Sequence, residues 1–206
     1  MDKFTQPWYT IRNRMDNRGR LGPDEWMRAA RLALLRGGPS AVRVEKLAYG
    51  LRVSKGSFYW HFKNREQLLE ALLREWEEEK NVLFDLLRQE DMRQALKDFF
   101  RELQRRVAMS ERGEWPSDAA IFAWAAVSPK VARRAHKEEE ARIKLLKKLF
   151  RQDEIGEYTY MAYLGFLVRR RRVPAAAKNF PILSTITTAL LLNSTATRRP
   201  KTRTAR

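Results

Sequence analysis

The sequence predicts an all-α protein. Apolar residues recur at three- and four-residue spacing in one segment after another, and no stretch of any length alternates apolar and polar residues as a strand would. Helix punctuation falls between those segments: Pro23 at a first turn, Gly37-Gly38-Pro39 at an end, and Ser128-Pro129 as a cap followed by a first-turn proline. The 206 residues are 44% apolar, enough for one large domain or two small ones.

From Pro23, Trp26, Ala30, Ala33 and Leu34 lie on one helical face. Val44, Leu47, Ala48 and Leu51 mark a second helix, whose register stops at Arg52-Val53. Ser54 is placed to cap a short third helix, Lys55 to Phe62, with Phe58 and Phe62 inward. Asn64 and Gln67 resemble a capping box opening a fourth helix. Its buried stripe is Leu68, Leu69, Leu72, Leu73 and Trp76, and Glu66, Glu70, Glu75, Glu77, Glu78 and Glu79 form a solvated acidic side. Further on, Leu96, Phe99, Phe100, Leu103 and Val107 share a face, and residues 110–117 form a break. Residues 119–127 are apolar all round, as in a helix buried inside a bundle. Helices are expected from Pro129 to about Phe150 and from about Asp153 to Arg170. Pro174 and Pro181 then interrupt the chain before a last apolar element, 182–192. The organisation expected is a flexible basic arm (1–22), a helix-turn-helix domain joined through its fourth helix (23–85), a helical bundle (86–192) and a disordered basic tail (193–206).

Composition removes several classes of function. There is no cysteine, so disulfide scaffolds, thiolate metal sites and cysteine nucleophiles are out. With His61 and His136 the only histidines, no metal site is expected, and no cofactor. The longest apolar runs (119–127, 161–168, 189–192) fall well short of the roughly 20 residues that span a bilayer. A soluble protein of the cytoplasm, without membrane contact, is the expectation. No nucleophile–base arrangement supports an enzyme: His136-Lys137-Glu138-Glu139-Glu140 reads as a solvated helix face, and no buried acid or base stands out.

The net charge of +17 is uneven. Residues 169–206 hold ten basic and no acidic groups. Residues 23–65 hold nine basic against three acidic, a local footprint for a polyanion.

That footprint contains the most informative segment. Residues 44–61 are two short helices joined by a tight turn, a helix-turn-helix arrangement. With Phe58 and Phe62 inward, the second helix is left displaying Lys55, Ser57, Tyr59, Trp60 and His61. Large rings beside a lysine call for a partner, and double-stranded DNA supplies phosphates, base edges and thymine methyls. Gly56 would let the backbone approach the duplex.

The stretch from Trp26 to Trp76 resembles the DNA-binding domain of the TetR family of transcriptional regulators. The residues that carry the resemblance are Ala29-Ala30, Gly38, Leu47-Ala48 and the run Val53-Ser54-x-Gly56-Ser57-x-Tyr59-x-x-Phe62-Lys63-Asn64-x-Glu66-x-Leu68-Leu69. The resemblance implies base or phosphate contacts for Lys55, Ser57, Tyr59 and His61, an exposed place for Trp60, and a phosphate contact at the fourth helix for Arg65, with Lys63 beside it. Arg52 stands where the family has a turn glycine and Arg43 where it has a threonine, and both are candidates for phosphate.

The resemblance further implies a homodimer on an operator and a small-molecule effector bound among the C-terminal helices. The candidate lining is Phe99, Phe100, Trp115, Phe122, Trp124, Tyr158, Met161 and Tyr163. The helix 153–170, with Ala162 and Gly165, and the element 182–192 are the candidate interface. A ligand-responsive repressor is expected; the alternative is a non-specific architectural DNA-binding protein without an effector. The arginines of the N-terminal arm (Arg12, Arg14, Arg18, Arg20) either enter a minor groove beside the recognition helix or belong to a segment that is simply disordered.

Overall fold

The computed structural model describes residues 21–150 and 152–196. Among them it contains no strand and nine α-helices: α1 (Pro23–Gly37), α2 (Val44–Leu51), α3 (Lys55–Tyr59), α4 (Arg65–Asp85), α5 (Met92–Glu111), α6 (Asp118–Ala125), α7 (Pro129–Phe150), α8 (Asp153–Arg172) and α9 (Phe180–Ala196). The all-α expectation holds. The arm expected before Leu21 and the tail after Ala196 lie outside the described residues.

The described residues divide into two compact units. The first takes the chain through Asn81 together with Arg105–Ser128, and the second takes Val82–Gln104 and everything from Pro129 onward. In the first unit, Trp26, Ala30 and Leu34 of α1 pack with Leu47 and Ala48 of α2, with Phe58 and Phe62, and with Leu68, Leu72, Leu73 and Trp76 of α4. Phe58 is fully buried, edge-on to Trp26 at 5.2 Å and stacked on Phe62 at 5.5 Å.

The segment between α5 and α6 is fastened to the same unit. Arg31 of α1 donates through Nε to the Gly113 carbonyl at 2.6 Å and through Nη1 to both oxygens of Glu75 at 2.6 and 2.7 Å. Glu75 therefore leaves the solvated acidic side predicted for α4 and serves a paired guanidinium. Gly113 has φ of +69°, and a Cβ there would meet Leu32 Cγ at 2.6 Å and the Arg28 carbonyl at 2.8 Å. On both counts the position demands glycine. Trp76 Nε1 donates to Asp118 at the start of α6.

In the second unit α7 and α8 pack antiparallel: Gly156 faces Lys147, while further from the turn Tyr160 OH donates to Glu139 at 3.4 Å. Phe180 of α9 packs against Phe166 at 5.4 Å and Phe100 at 6.4 Å.

Six sequence expectations are corrected. α3 ends at Tyr59 rather than Phe62, because the Phe58 carbonyl accepts from both His61 and Phe62 N–H and the last turn tightens. Ser54 occupies the cap position of α3 without a side-chain cap bond. α6 is not buried all round: Ala120, Ile121 and Trp124 face the core, Phe122 is half-buried and Val127 beyond its end is exposed. Pro181 does not interrupt the chain but sits in the first turn of α9, where its missing N–H costs no helical bond. The helix then runs to Ala196, past the expected start of the tail. Lastly, buried ionisable groups do exist, namely Arg106, Glu138 and Arg142. Periodicity put Glu138 on a charged face, but the inward side of α7 runs Val131, Ala135, Glu138, Arg142, Leu146 and includes it. The capping box is as expected in outline: Gln67 N–H donates to Asn64 Oδ1 at 2.8 Å, and Gln67 Oε1 accepts from Lys63 N–H.

Arg52, in the turn between α2 and α3, has φ of +58° and ψ of +40°, the left-handed region. A residue with a Cβ loses roughly 1–2 kcal/mol there. Arg52→Gly removes that strain at some entropic cost to folding. The expected outcome is a gain of up to about 1 kcal/mol, seen as a higher melting temperature; a drop would contradict the strain assignment. Gly156→Ala should do the reverse. A Cβ at 156 would lie 2.5 Å from Lys147 N and 2.7 Å from its Cα, both backbone atoms. Overpacking of that kind costs about 1–3 kcal/mol and should lower the urea midpoint, whereas an unchanged midpoint would mean α7 and α8 do not approach so closely.

Candidate nucleic-acid interface

α3 has five residues, too short to be stable alone. It is held by Phe58 from below, by the left-handed turn at Arg52 before it and by the capped start of α4 after it. With Phe58 fixed inward, its neighbours project outward: Trp60 is 87% and Tyr59 57% exposed, Lys55 and Gly56 are exposed and Ser57 is half-buried. Nothing inside the protein requires glycine at 56, since a Cβ there would meet only Ser54 Oγ at 3.5 Å and its φ is not positive.

The cations of the region fall into two groups. Arg43, Arg52 and Lys63 are exposed, and their side chains form no hydrogen bond or ion pair among the described residues. Lys46 of α2 is equally exposed and unpaired. The other cations are engaged. Arg65 donates through Nε to the Val42 carbonyl at 2.7 Å and through Nη2 to the Pro39 carbonyl, with Nη1 3.5 Å from Glu66. It thereby ties the start of α4 to the segment between α1 and α2. His61 Nε2, in the tautomer that carries the proton there, donates to the Leu21 carbonyl at 3.0 Å and fixes the chain where it enters α1.

Lys55 Nζ lies 2.7 Å from Glu45 Oε1, across the turn between α2 and α3. The hydrogen bond from Lys55 holds the Glu45 carboxyl below its ordinary range, and the same bond raises the Lys55 ammonium. Both groups therefore stay charged around neutral pH. Arg43, Glu45, Tyr59, Asn64 and Arg65 line a concavity of about 650 Å³ between the start of α2, the end of α3 and the start of α4.

Besides Glu45, sequence reading missed two residues on this surface. Tyr49 is 87% exposed on the outward face of α2, opposite Val44, Leu47 and Ala48. Lys46 is the other. Both were legible as outward positions from the spacing of α2.

The effector-lining candidates belong to both units. In the first unit Trp115 is half-buried beneath the guanidinium of Arg106, 4.7 Å from its ring centre, with Arg105 at 5.7 Å. Phe122 packs edge-on to Trp76 at 6.1 Å, and Trp124 is buried. In the second unit Phe99 and Phe100 are buried edge-to-face at 5.4 Å, Tyr163 is half-buried, and Tyr158 and Met161 are exposed at 60% and 63%. Exposure on that scale suits a surface better than a cavity lining. Among the described residues no group of three or more His, Cys, Asp or Glu side chains is arranged to hold a metal ion, and no helix is long and apolar enough to cross a membrane.

Residues 27–72 match the family model for bacterial regulatory proteins of the tetR family. No curated protein matches the chain. The match covers α1 to the first half of α4, the stretch whose buried Phe58 turns Tyr59 and Trp60 outward: the protein is a DNA-binding transcriptional regulator whose residues 27–72 form a tetR-family helix-turn-helix domain.

Proposed function

We propose that the protein is a homodimeric, sequence-specific repressor that releases its operator when a small molecule binds among its C-terminal helices. The observation that carries DNA readout is the outward display of Lys55, Tyr59 and Trp60 on α3, with the Trp60 ring left 87% exposed. α3 enters the major groove. Lys55, Ser57, Tyr59 and Trp60 meet base edges and flanking phosphates, and Gly56 allows the close approach. Arg43, Lys46, Arg52 and Lys63, free of partners, meet phosphate and set affinity rather than sequence preference. His61 and Arg65, committed to the chain's own carbonyls, support the surface from behind. As a bacterial regulator of this kind it acts in the cytoplasm, where the genome is.

Dimerisation is supported by two exposed apolar stripes. On α8, Tyr158, Met161, Gly165 and Val168 follow at intervals of three, four and three, and the three side chains larger than glycine are 59–63% exposed. On α9, Ile182 and Ile186, one turn apart, are 57% and 51% exposed. A second copy is the partner whose symmetry fits paired half-sites about 34–36 Å apart on DNA. The repressor sign and the effector rest on the family resemblance, and within the second unit the buried Glu138 and Arg142 of α7 offer polar groups to an effector.

The test is DNA selected from a randomised pool, followed by titration against that site and a scrambled duplex at physiological salt. The expected preference is about 10³-fold or more. Trp60→Ala should lower affinity for the site about tenfold or more, in line with the loss of one base contact, without changing the melting temperature. Equal affinity for scrambled DNA would favour the architectural alternative. For the assembly, sedimentation should give twice the 24.3 kDa chain mass. Met161→Glu combined with Ile186→Glu should reduce it to a single chain and abolish tight operator binding with helicity unchanged; a wild-type monomer would remove the dimer from the proposal.

A further inference from the structure

The Glu45–Lys55 pair is unusual for a surface that must meet DNA. Lys55 opens the recognition helix, and Glu45 places a carboxylate beside it, 64% exposed, at the rim of the concavity that also holds Arg43 and Tyr59. An exposed ion pair adds little to stability, so its 2.7 Å geometry is not explained by what it contributes to the fold. A carboxylate facing a polyanion is also unfavourable for binding in general. Among the described residues Lys46, Arg52 and Lys63 form no such pair, and Arg43 acts on Glu45 only through its charge, without an ion-pair contact.

A lysine ammonium is a point charge on a flexible stem, equally satisfied by any phosphate within reach. An unrestrained Lys55 would therefore contribute to every DNA sequence alike. Held by Glu45, its ammonium has used one of three donors and keeps two for acceptors in front of it. Guanine O6 and N7 present such a pair of acceptors in the major groove.

We propose that Glu45 is a positioning residue for sequence readout: its carboxylate holds the Lys55 ammonium at the base-facing start of α3 and keeps it from phosphates that carry no sequence information. The inference rests on the DNA-readout role of α3 proposed above. Glu45 thus lowers non-specific affinity and leaves affinity for the operator nearly intact, so that its effect is on the ratio of the two.

The experiment uses the full chain, the selected site and the scrambled duplex, with dissociation constants measured across a salt series at neutral pH. Glu45→Gln keeps the size of the side chain and removes the charge. Its affinity for scrambled DNA should rise three- to tenfold at low salt, with the log–log salt slope steeper by about one unit, the signature of one added phosphate contact. Affinity for the site should change less than twofold. In a Lys55→Gln background the same substitution should have no effect on either slope, and melting temperatures should match throughout.

Three outcomes overturn the inference: unchanged slopes, an equal rise for both duplexes, or an effect that persists without Lys55. A tenfold loss at the site that persists in the Lys55→Gln background would also overturn it, since Glu45 would then read a base directly. If the wild-type protein does not discriminate the site from scrambled DNA, the readout role of α3 fails. If it does, and Glu45→Gln preserves the ratio, only the role of Glu45 fails.

Discussion

The surface proposed to meet DNA depends on the burial of one ring. Phe58 has no exposed area and is gripped by Trp26 from α1 and by Phe62 after the turn. Because α3 is only five residues long, this single anchor sets its rotation about its own axis. The helical period then leaves Lys55, Tyr59 and Trp60 no inward choice. A change at Phe58 would empty the centre of the first unit and release the orientation of every residue offered to the duplex. Stability and recognition are coupled at this position by geometry.

A second constraint comes from far along the chain. Arg31 bridges the Gly113 carbonyl and the Glu75 carboxylate, so one guanidinium fastens the segment after α5 to both α1 and α4. The contact with Glu75 is charge-assisted, one guanidinium nitrogen shared between both carboxylate oxygens. Gly113 is pressed against Leu32 and the Arg28 backbone so closely that no side chain fits, and Trp76 donates to Asp118 at the next helix start. Tyr59 and Trp60 are thus carried by a unit that the chain leaves after Asn81 and re-enters at Arg105.

How much of this was legible in the sequence follows from the range of the interactions involved. The boundaries of α1, α2, α7 and α8 were readable within a residue or two, because Pro23, the Gly37-Gly38-Pro39 stop, Pro129 and the apolar spacing act locally. The outward set on α3 was readable for the same reason, once Phe58 and Phe62 were taken as inward. The left-handed Arg52 was foreseeable only as a conditional strain, and its φ of +58° now makes it a fact of the turn.

The contacts that escaped notice are those whose partner is distant or is a main-chain atom. The hold of Arg65 on the Val42 and Pro39 carbonyls was not foreseen, because nothing in its neighbours announces that they lie within reach of its guanidinium. Glu75 looked solvated because Arg31 is 44 residues away. Glu45 was passed over because Lys55 is ten positions on, beyond any helical spacing, and only the folded turn brings them to 2.7 Å. Charge counted along the chain treats every lysine and arginine of residues 23–65 as available to a polyanion. The fold withdraws Arg31 and Arg65 into its own structure and restrains Lys55 with a carboxylate. Among the described residues, the exposed cations of that stretch left outside any hydrogen bond or ion pair are Arg36, Arg43, Lys46, Arg52 and Lys63, a smaller set than the composition suggests. A regulator gains from that reduction, because each sequence-blind contact it gives up weakens its hold on the rest of the genome more than on a site where bases are also read.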